Sequence, residues 1–138
     1  MASDQLENSI ITRLIDGNGY LMSPDATYYV SLHTADPGDT GTNELSSTNG
    51  YARKSYTTSG GWNAASGGST SNNGSITFAA ASGGDWATAT HFGIWNNAAG
   101  TSANFMLGGA LTSSVTCTDG DAVQFLGGTP GALVITCT

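Results

Sequence analysis

The chain has 138 residues and a formal charge of −7, with ten acids opposed by Arg13, Arg53 and Lys54 alone. A length of this order accommodates one hydrophobic core, so residues 1–138 are expected to form one domain, and the lack of a basic stripe argues against nucleic-acid binding. Charged residues are 9% of the chain against the ~25% usual in globular proteins, which leaves hydroxyls and amides to carry its solubility.

From the amino terminus, Asp4 can cap a helix with Glu7 three residues on. Leu6, Ile10, Ile11, Leu14 and Ile15 then share one face before Gly17, which predicts a helix over about residues 4–16. No long uninterrupted apolar run follows, so neither a signal peptide nor a membrane-spanning helix is expected. Beyond Pro24 the pattern becomes short alternating runs broken by Gly, Asn, Asp and Ser, which is the signature of an all-β sandwich or barrel.

In Tyr28–Thr34, Tyr28, Val30 and Leu32 alternate with Tyr29, Ser31 and His33, which predicts a half-buried strand. It stops at Asp36-Pro37-Gly38-Asp39, where Pro37 lacks a donor, Gly38 admits positive φ, and the aspartates can bond their own backbone. Further strands are predicted near 51–58, 75–80, 88–95, 104–110, 114–118, 122–126 and 133–137, with a hairpin at Asp119-Gly120 and a turn at Thr129-Pro130-Gly131. Inward sets include Ile76 with Phe78, Phe92 with Ile94, Phe105 with Leu107, and Val123 with Phe125. The expected architecture is therefore an antiparallel β-sandwich of about eight strands, jelly-roll-like, whose last three strands form a meander, with one N-terminal α-helix. Two long loops, 35–50 and 60–74, have compositions unable to build a core and are expected to wave in solvent or lie on a partner.

The titratable inventory is thin. His33 and His91 stand in strands without a serine elbow, metal-binding helix or phosphate loop beside them, and a hydrogen bond from His33 to Asp36 would end the first strand. The acids of 36–44 and 119–121 do not match a calcium loop and read as turn formers. Cys117 and Cys137 fit no zinc spacing; they read as small strand or core residues, with a bridge between terminal strands as the alternative. The expectation is thus no enzyme, no cofactor and no metal. Trp86 and Trp95 suit the ends of a sandwich, whereas Trp62 stands in a polar stretch, where it reads as a subunit contact or a sugar platform.

Three segments carry a resemblance: Val30-Ser31-Leu32-His33-Thr34-Ala35-Asp36-Pro37-Gly38, then Gly50-Tyr51-Ala52-Arg53, then Thr90-His91-Phe92-Gly93-Ile94-Trp95. This wording resembles a family of short structural proteins of tailed bacteriophages, virion components labelled capsid decoration (cement) proteins or tail-fibre proteins. The resemblance implies a virion protein made in the host cytoplasm. The main expectation is a decoration protein at the capsid surface, which binds the major capsid protein and further copies of itself, as a dimer or trimer, and stabilises the assembled lattice by mass action. The alternative is a tail-fibre or baseplate component contacting a host-surface glycan. Leu6, Ile10, Leu14 and Trp62 are the candidate partner-interface residues, and neither nucleic acid nor membrane is an expected partner.

Overall fold

Two long runs rich in apolar and β-branched residues set the layout of this computed structural model, which describes residues 2–15, 27–57 and 61–136. They are β5 (Trp86–Trp95) and β6 (Phe105–Cys117), preceded by helix α1 (Asp4–Ile15) and strands β1 (Thr27–His33), β2 (Lys54–Thr57), β3 (Ser69–Ser71) and β4 (Ile76–Thr77). After β6 come β7 (Gln124–Phe125) and β8 (Val134–Thr136). An antiparallel four-stranded sheet has the order β2-β1-β5-β6, and two antiparallel ribbons, β3-β8 and β4-β7, complete an all-β fold of about eight strands. One face of the sheet, carrying Val30, Leu32, Phe92 and Ile94, shares a core with Ile76, Phe78, Val123, Phe125 and Leu133 from the ribbon side. The ribbons thus supply the second layer, in two pieces rather than the second four-stranded sheet a jelly roll would have.

Several local expectations change. The segments 104–110 and 114–118 are one strand, β6, which carries a bulge: β5 advances from Ala89 to His91 while β6 moves from Val115 to Ala110. The C-terminal strands form no meander, because β7 pairs with β4 and β8 with β3. Asp119-Gly120 is still a turn, with Asp121 N–H donating to Thr118 O at 2.9 Å, but it joins strands that are not neighbours. β3 lies inside the expected 60–74 loop. The expectation for Cys137 lies outside the described residues, and Cys117 is a buried free thiol.

The largest departure is on the second face of the sheet. Ser31 and His33 were expected to point outward, yet both are fully buried. The 34–50 loop turns through Gly38 and Gly41, both at positive φ, and returns antiparallel to the end of β1, with Leu45 N–H donating to Leu32 O and Thr34 N–H to Asn43 O, each at 2.9 Å. Asp36 makes the expected turn bond, accepting from Gly38 N–H at 2.9 Å; it is not the partner of His33. The loop thus lies on its own sheet, with Pro37 among the buried side chains. A second bulge explains the rest: Ile94 pairs with Leu107 but Trp95 with Phe105, so Met106 is the extra residue. Phe105 and Leu107, expected on one face, are thereby split between the two.

This second face closes because Ser31, Gly93 and Gly108 lie in one row across β1, β5 and β6. A Cβ at Gly93 would stand 2.6 Å from Ser31 Oγ and 2.7 Å from His33 Nε2. The expected outcome is that Gly93→Ala lowers unfolding free energy by about 1–3 kcal/mol in urea denaturation, whereas Ser114→Ala at an exposed position stays within about 0.5 kcal/mol of the parent. An unchanged midpoint for Gly93→Ala would refute the close packing of this face.

Candidate functional site

Helix α1 is anchored to the sheet at its start. Ser3, not Asp4, is the N-cap: its Oγ accepts from Leu6 N–H at 3.3 Å, and Glu7 N–H donates to Ser3 O at 3.0 Å. Asp4 instead sits in the first turn with Glu7, where negative charge suits the helix dipole. Ser3 itself is buried, donating from Oγ to Phe105 O at 2.8 Å and from its N–H to Met106 O at 3.0 Å. The helix start is thus fastened to the edge of β6.

Leu6 then overhangs a largely apolar, uncharged groove of about 310 Å³, lined also by Tyr28, Trp62, Thr70, Ile94, Met106, Leu107 and Ile135. Two of the expected interface residues, Leu6 and Trp62, meet here. Ile10 lies further along the helix at 38% exposure, and the side chain of Leu14 lies outside the described residues. Ile11 and Ile15, expected on the same face as Leu6, are 59% and 77% exposed, so the outer side of the helix is apolar as well. Trp62 is half-buried and stands edge-on to Tyr56, with ring centroids 5.5 Å apart. Tyr56 accepts from Gly74 N–H at 2.9 Å through its hydroxyl. The groove walls from β1, β5 and β6 had a signal in the sequence, the apolar alternation of those strands; their distance from α1 along the chain hid the meeting.

The 60–74 segment is tied to its own chain as well. Asn72 is fully buried: its Oδ1 accepts from Leu133 N–H at 2.7 Å, and its Nδ2 donates to the carbonyls of Gly74 and Leu126 at 2.9 and 3.0 Å. Asn63 Nδ2 donates to Ser71 Oγ at 2.9 Å and to Gly128 O at 2.6 Å. Beside these amides lies a cleft of about 280 Å³ lined by Asn63, Ser66, Ser69, Thr70, Ser71 and Thr129 together with Pro130 and Val134. Ala64 completes its walls; no charge lines it, and although most of its residues bear a hydroxyl or amide, the surface they present is chiefly apolar.

One cluster of charged and titratable side chains lies elsewhere, on the second face. Arg53 Nε and Nη2 hold Glu44 at 2.9 and 2.8 Å, Nη1 donates to the carbonyls of Asn97 and Gly100 at 3.1 and 3.2 Å, and the guanidinium carbon lies 3.4 Å from the centroid of the Trp95 ring. Tyr51 donates to Glu44 Oε1 at 3.2 Å and accepts from Leu32 N–H at 2.9 Å. Burial, reinforced by the Glu44 charge, pushes its hydroxyl far above the ordinary tyrosine value. His33 Nδ1 meets Thr42 O at 2.6 Å and Nε2 meets Ser31 Oγ at 2.7 Å; burial holds its ring below the ordinary histidine value. An open cleft of about 380 Å³ borders Glu44, Tyr51 and Arg53, but the polar atoms of these three residues are already engaged within the fold. His91 bonds Thr90 Oγ1 at 2.8 Å, Asp119 accepts from Gly83 N–H, and Asp121 accepts from Thr118. Among the described residues, no group of three or more His, Cys, Asp or Glu side chains is placed to hold a metal.

The two clefts on the ribbon and helix side of this small β-rich scaffold are thus uncharged. A family model described as "Podophage GP4 fiber I protein gp80" matches residues 1–133, and the chain belongs to that family. It is therefore a phage structural protein and a virion component, as the three resembling segments imply. Side chains from all three segments meet on the second face, where Arg53 lies on the Trp95 ring and that ring stacks on His33 with centroids 6.5 Å apart. No curated protein matches the chain.

Arg53→Lys is expected to cost about 2–4 kcal/mol of stability in chemical denaturation, because a single ammonium cannot hold both oxygens of Glu44 and lie flat on Trp95. Full stability in the lysine variant would show that the cluster is decorative.

Proposed function

We propose that this chain is a tail-fibre subunit that acts by adhesion to neighbouring fibre subunits, not by catalysis, and not as a cement protein on the capsid shell. The match to a fibre family over residues 1–133 carries the choice of fibre over capsid. The geometry adds the means. Uncharged apolar surface occurs in the groove that Leu6 and Trp62 line and again on the outer side of α1, where Ile11 and Ile15 are exposed. Exposed aliphatic side chains at such density on a small protein mark contact surfaces. Non-catalytic function is supported by titratable side chains whose partners lie inside the fold. Nucleic acid is disfavoured by a formal charge of −7, and no described helix is long and apolar enough to cross a membrane.

Electron microscopy of virions with this subunit labelled is expected to place the label at the tail; label on the shell would restore the capsid reading. In a second test, Ile11→Ser and Ile15→Ser are expected to leave unfolding within about 0.5 kcal/mol of the parent, as exposed substitutions do, while reducing incorporation of the subunit into particles. Normal incorporation of both variants would remove α1 from the contact surface.

Contact with a host-surface glycan has one structural observation in its favour, the uncharged cleft beside Asn63, to which Ser66, Ser69, Thr70, Ser71 and Thr129 contribute. Trp62, the sequence's candidate sugar platform, faces Tyr56 and the apolar groove instead. On this reading, Ser66→Ala with Thr129→Ala weakens adsorption to host cells and Trp62→Ala does so only through subunit assembly. Adsorption unaffected by the double substitution would dismiss the cleft.

A further inference from the structure

The hydrogen-bond directions around His33 follow from donor chemistry. Indole N–H only donates, and Trp95 Nε1 lies 2.7 Å from Ser31 Oγ. A carbonyl only accepts, so the 2.6 Å contact to Thr42 O puts a proton on His33 Nδ1. The neutral ring then has a bare Nε2, which takes the Ser31 hydroxyl proton at 2.7 Å. A one-way chain results, from Trp95 through Ser31 and His33 to Thr42, and it joins the sheet to the loop that covers it.

That chain has room for one proton on the ring. A second, on Nε2, would face the Ser31 hydroxyl, whose own proton would lose the acceptor it has. The charge balance is unfavourable as well. Three titratable groups face His33: Glu44 from the returning loop, which favours an imidazolium, and Arg53 before β2 and His91 on β5, which oppose it. Glu44 is already held by two nitrogens of Arg53, so its charge is matched before the ring takes a proton. Desolvation of the fully buried ring is the largest effect and also opposes protonation.

We propose that His33 is a proton-operated latch, which holds the 34–45 loop on the sheet when neutral and releases it when protonated. The loop is suited to local release. Asp36, Gly38, Asp39, Thr40, Thr42 and Asn43 are exposed, and several of its bonds close within it, such as Thr42 N–H to Pro37 O and Asn43 Nδ2 to Asp36 O. The sign is fixed by the depressed basicity of the folded ring: the unfolded or open form binds the proton more tightly. The latch is therefore fully closed above the ordinary histidine value of about 6.5 and weakens as pH falls below it. Opening would expose the Trp95 ring and draw Glu44 away from Arg53. The latch stands independently of the fibre assignment.

Residue-resolved amide hydrogen exchange on the intact chain, from about pH 7.5 to about 4.5 across the histidine range, tests it. After correction for intrinsic exchange, Thr34 and Leu45 amides are expected to lose protection by at least about tenfold, the factor that one pH unit of linked titration supplies. The Phe78 amide, bonded to Val123 O on the ribbon side, should keep its protection, and the His33 ring 15N shifts should move with the loop. His33→Asn, where it folds, should exchange independently of pH. Loop protection that stays constant while His33 titrates would overturn the proposal, as would loop loosening that persists at the same midpoint in His33→Asn.

Discussion

The second face of the sheet has little aliphatic material of its own, and its integrity depends on the guanidinium of Arg53. That one group reaches Glu44 in the returning loop, the Trp95 ring at the end of β5, and the carbonyls of Asn97 and Gly100 beyond it. A planar fork can bind a carboxylate with two nitrogens and lie on an aromatic face at the same time, which a lysine ammonium cannot. Its energetic contribution is not simply Coulombic, because desolvation offsets much of the attraction in a nearly buried pair. What the pair supplies is geometry: it fixes where the loop returns and therefore what covers Ser31 and His33.

Around this clamp the fold builds two polar anchorages where a more hydrophobic chain would use aliphatic packing. On the loop side, Trp95, Ser31, His33 and Thr42 form an uninterrupted hydrogen-bond chain over a row emptied of side chains at Gly93 and Gly108. On the ribbon side, the buried amide of Asn72 ties three separate segments, near Gly74, Leu126 and Leu133. Each neutral bond contributes only about 0.5–1.5 kcal/mol net, but a buried amide or imidazole left without partners costs more than it would have contributed. Such cores tolerate few alternatives, which is how a chain with so little charge keeps one arrangement of its long loops.

These features set the limits of what the sequence reveals. Alternation in β1 and β5 correctly marks Val30, Leu32, Phe92 and Ile94 as inward, because those positions meet a conventional apolar core. It fails for Ser31 and His33, since their cover is a loop of turn-forming residues that has no period to read. β3 escapes notice because Ser69–Ser71 has no apolar residue; it is a strand by backbone pairing with β8. β6 is read as two strands because Thr112–Ser114 looks like turn punctuation, whereas the chain absorbs it in a bulge. The same limitation splits Phe105 from Leu107. At the candidate interface, Leu6 and Trp62 stand out as large apolar residues in polar company. Tyr28, Met106 and Ile135 complete their groove only through tertiary contacts.

The distribution of charge bears on how such a subunit assembles. Copies carrying a net −7 repel one another, but at physiological ionic strength that repulsion is largely screened beyond about 8 Å. What decides association is therefore the composition of the last layer to be desolvated. Across the groove that layer has no ionised group, so closing it against a neighbour leaves no carboxylate buried without a partner. Asp4 and Glu7 lie in the first turn of α1 beside Leu6, where they can remain solvated at the rim of a contact. A surface of this form has an uncharged, apolar centre with charge confined to its margin, which is the arrangement that lets acidic subunits pack together. On the proposed reading the amino-terminal helix suits such a contact, since Ser3 fastens its start to β6 while Ile11 and Ile15 are exposed.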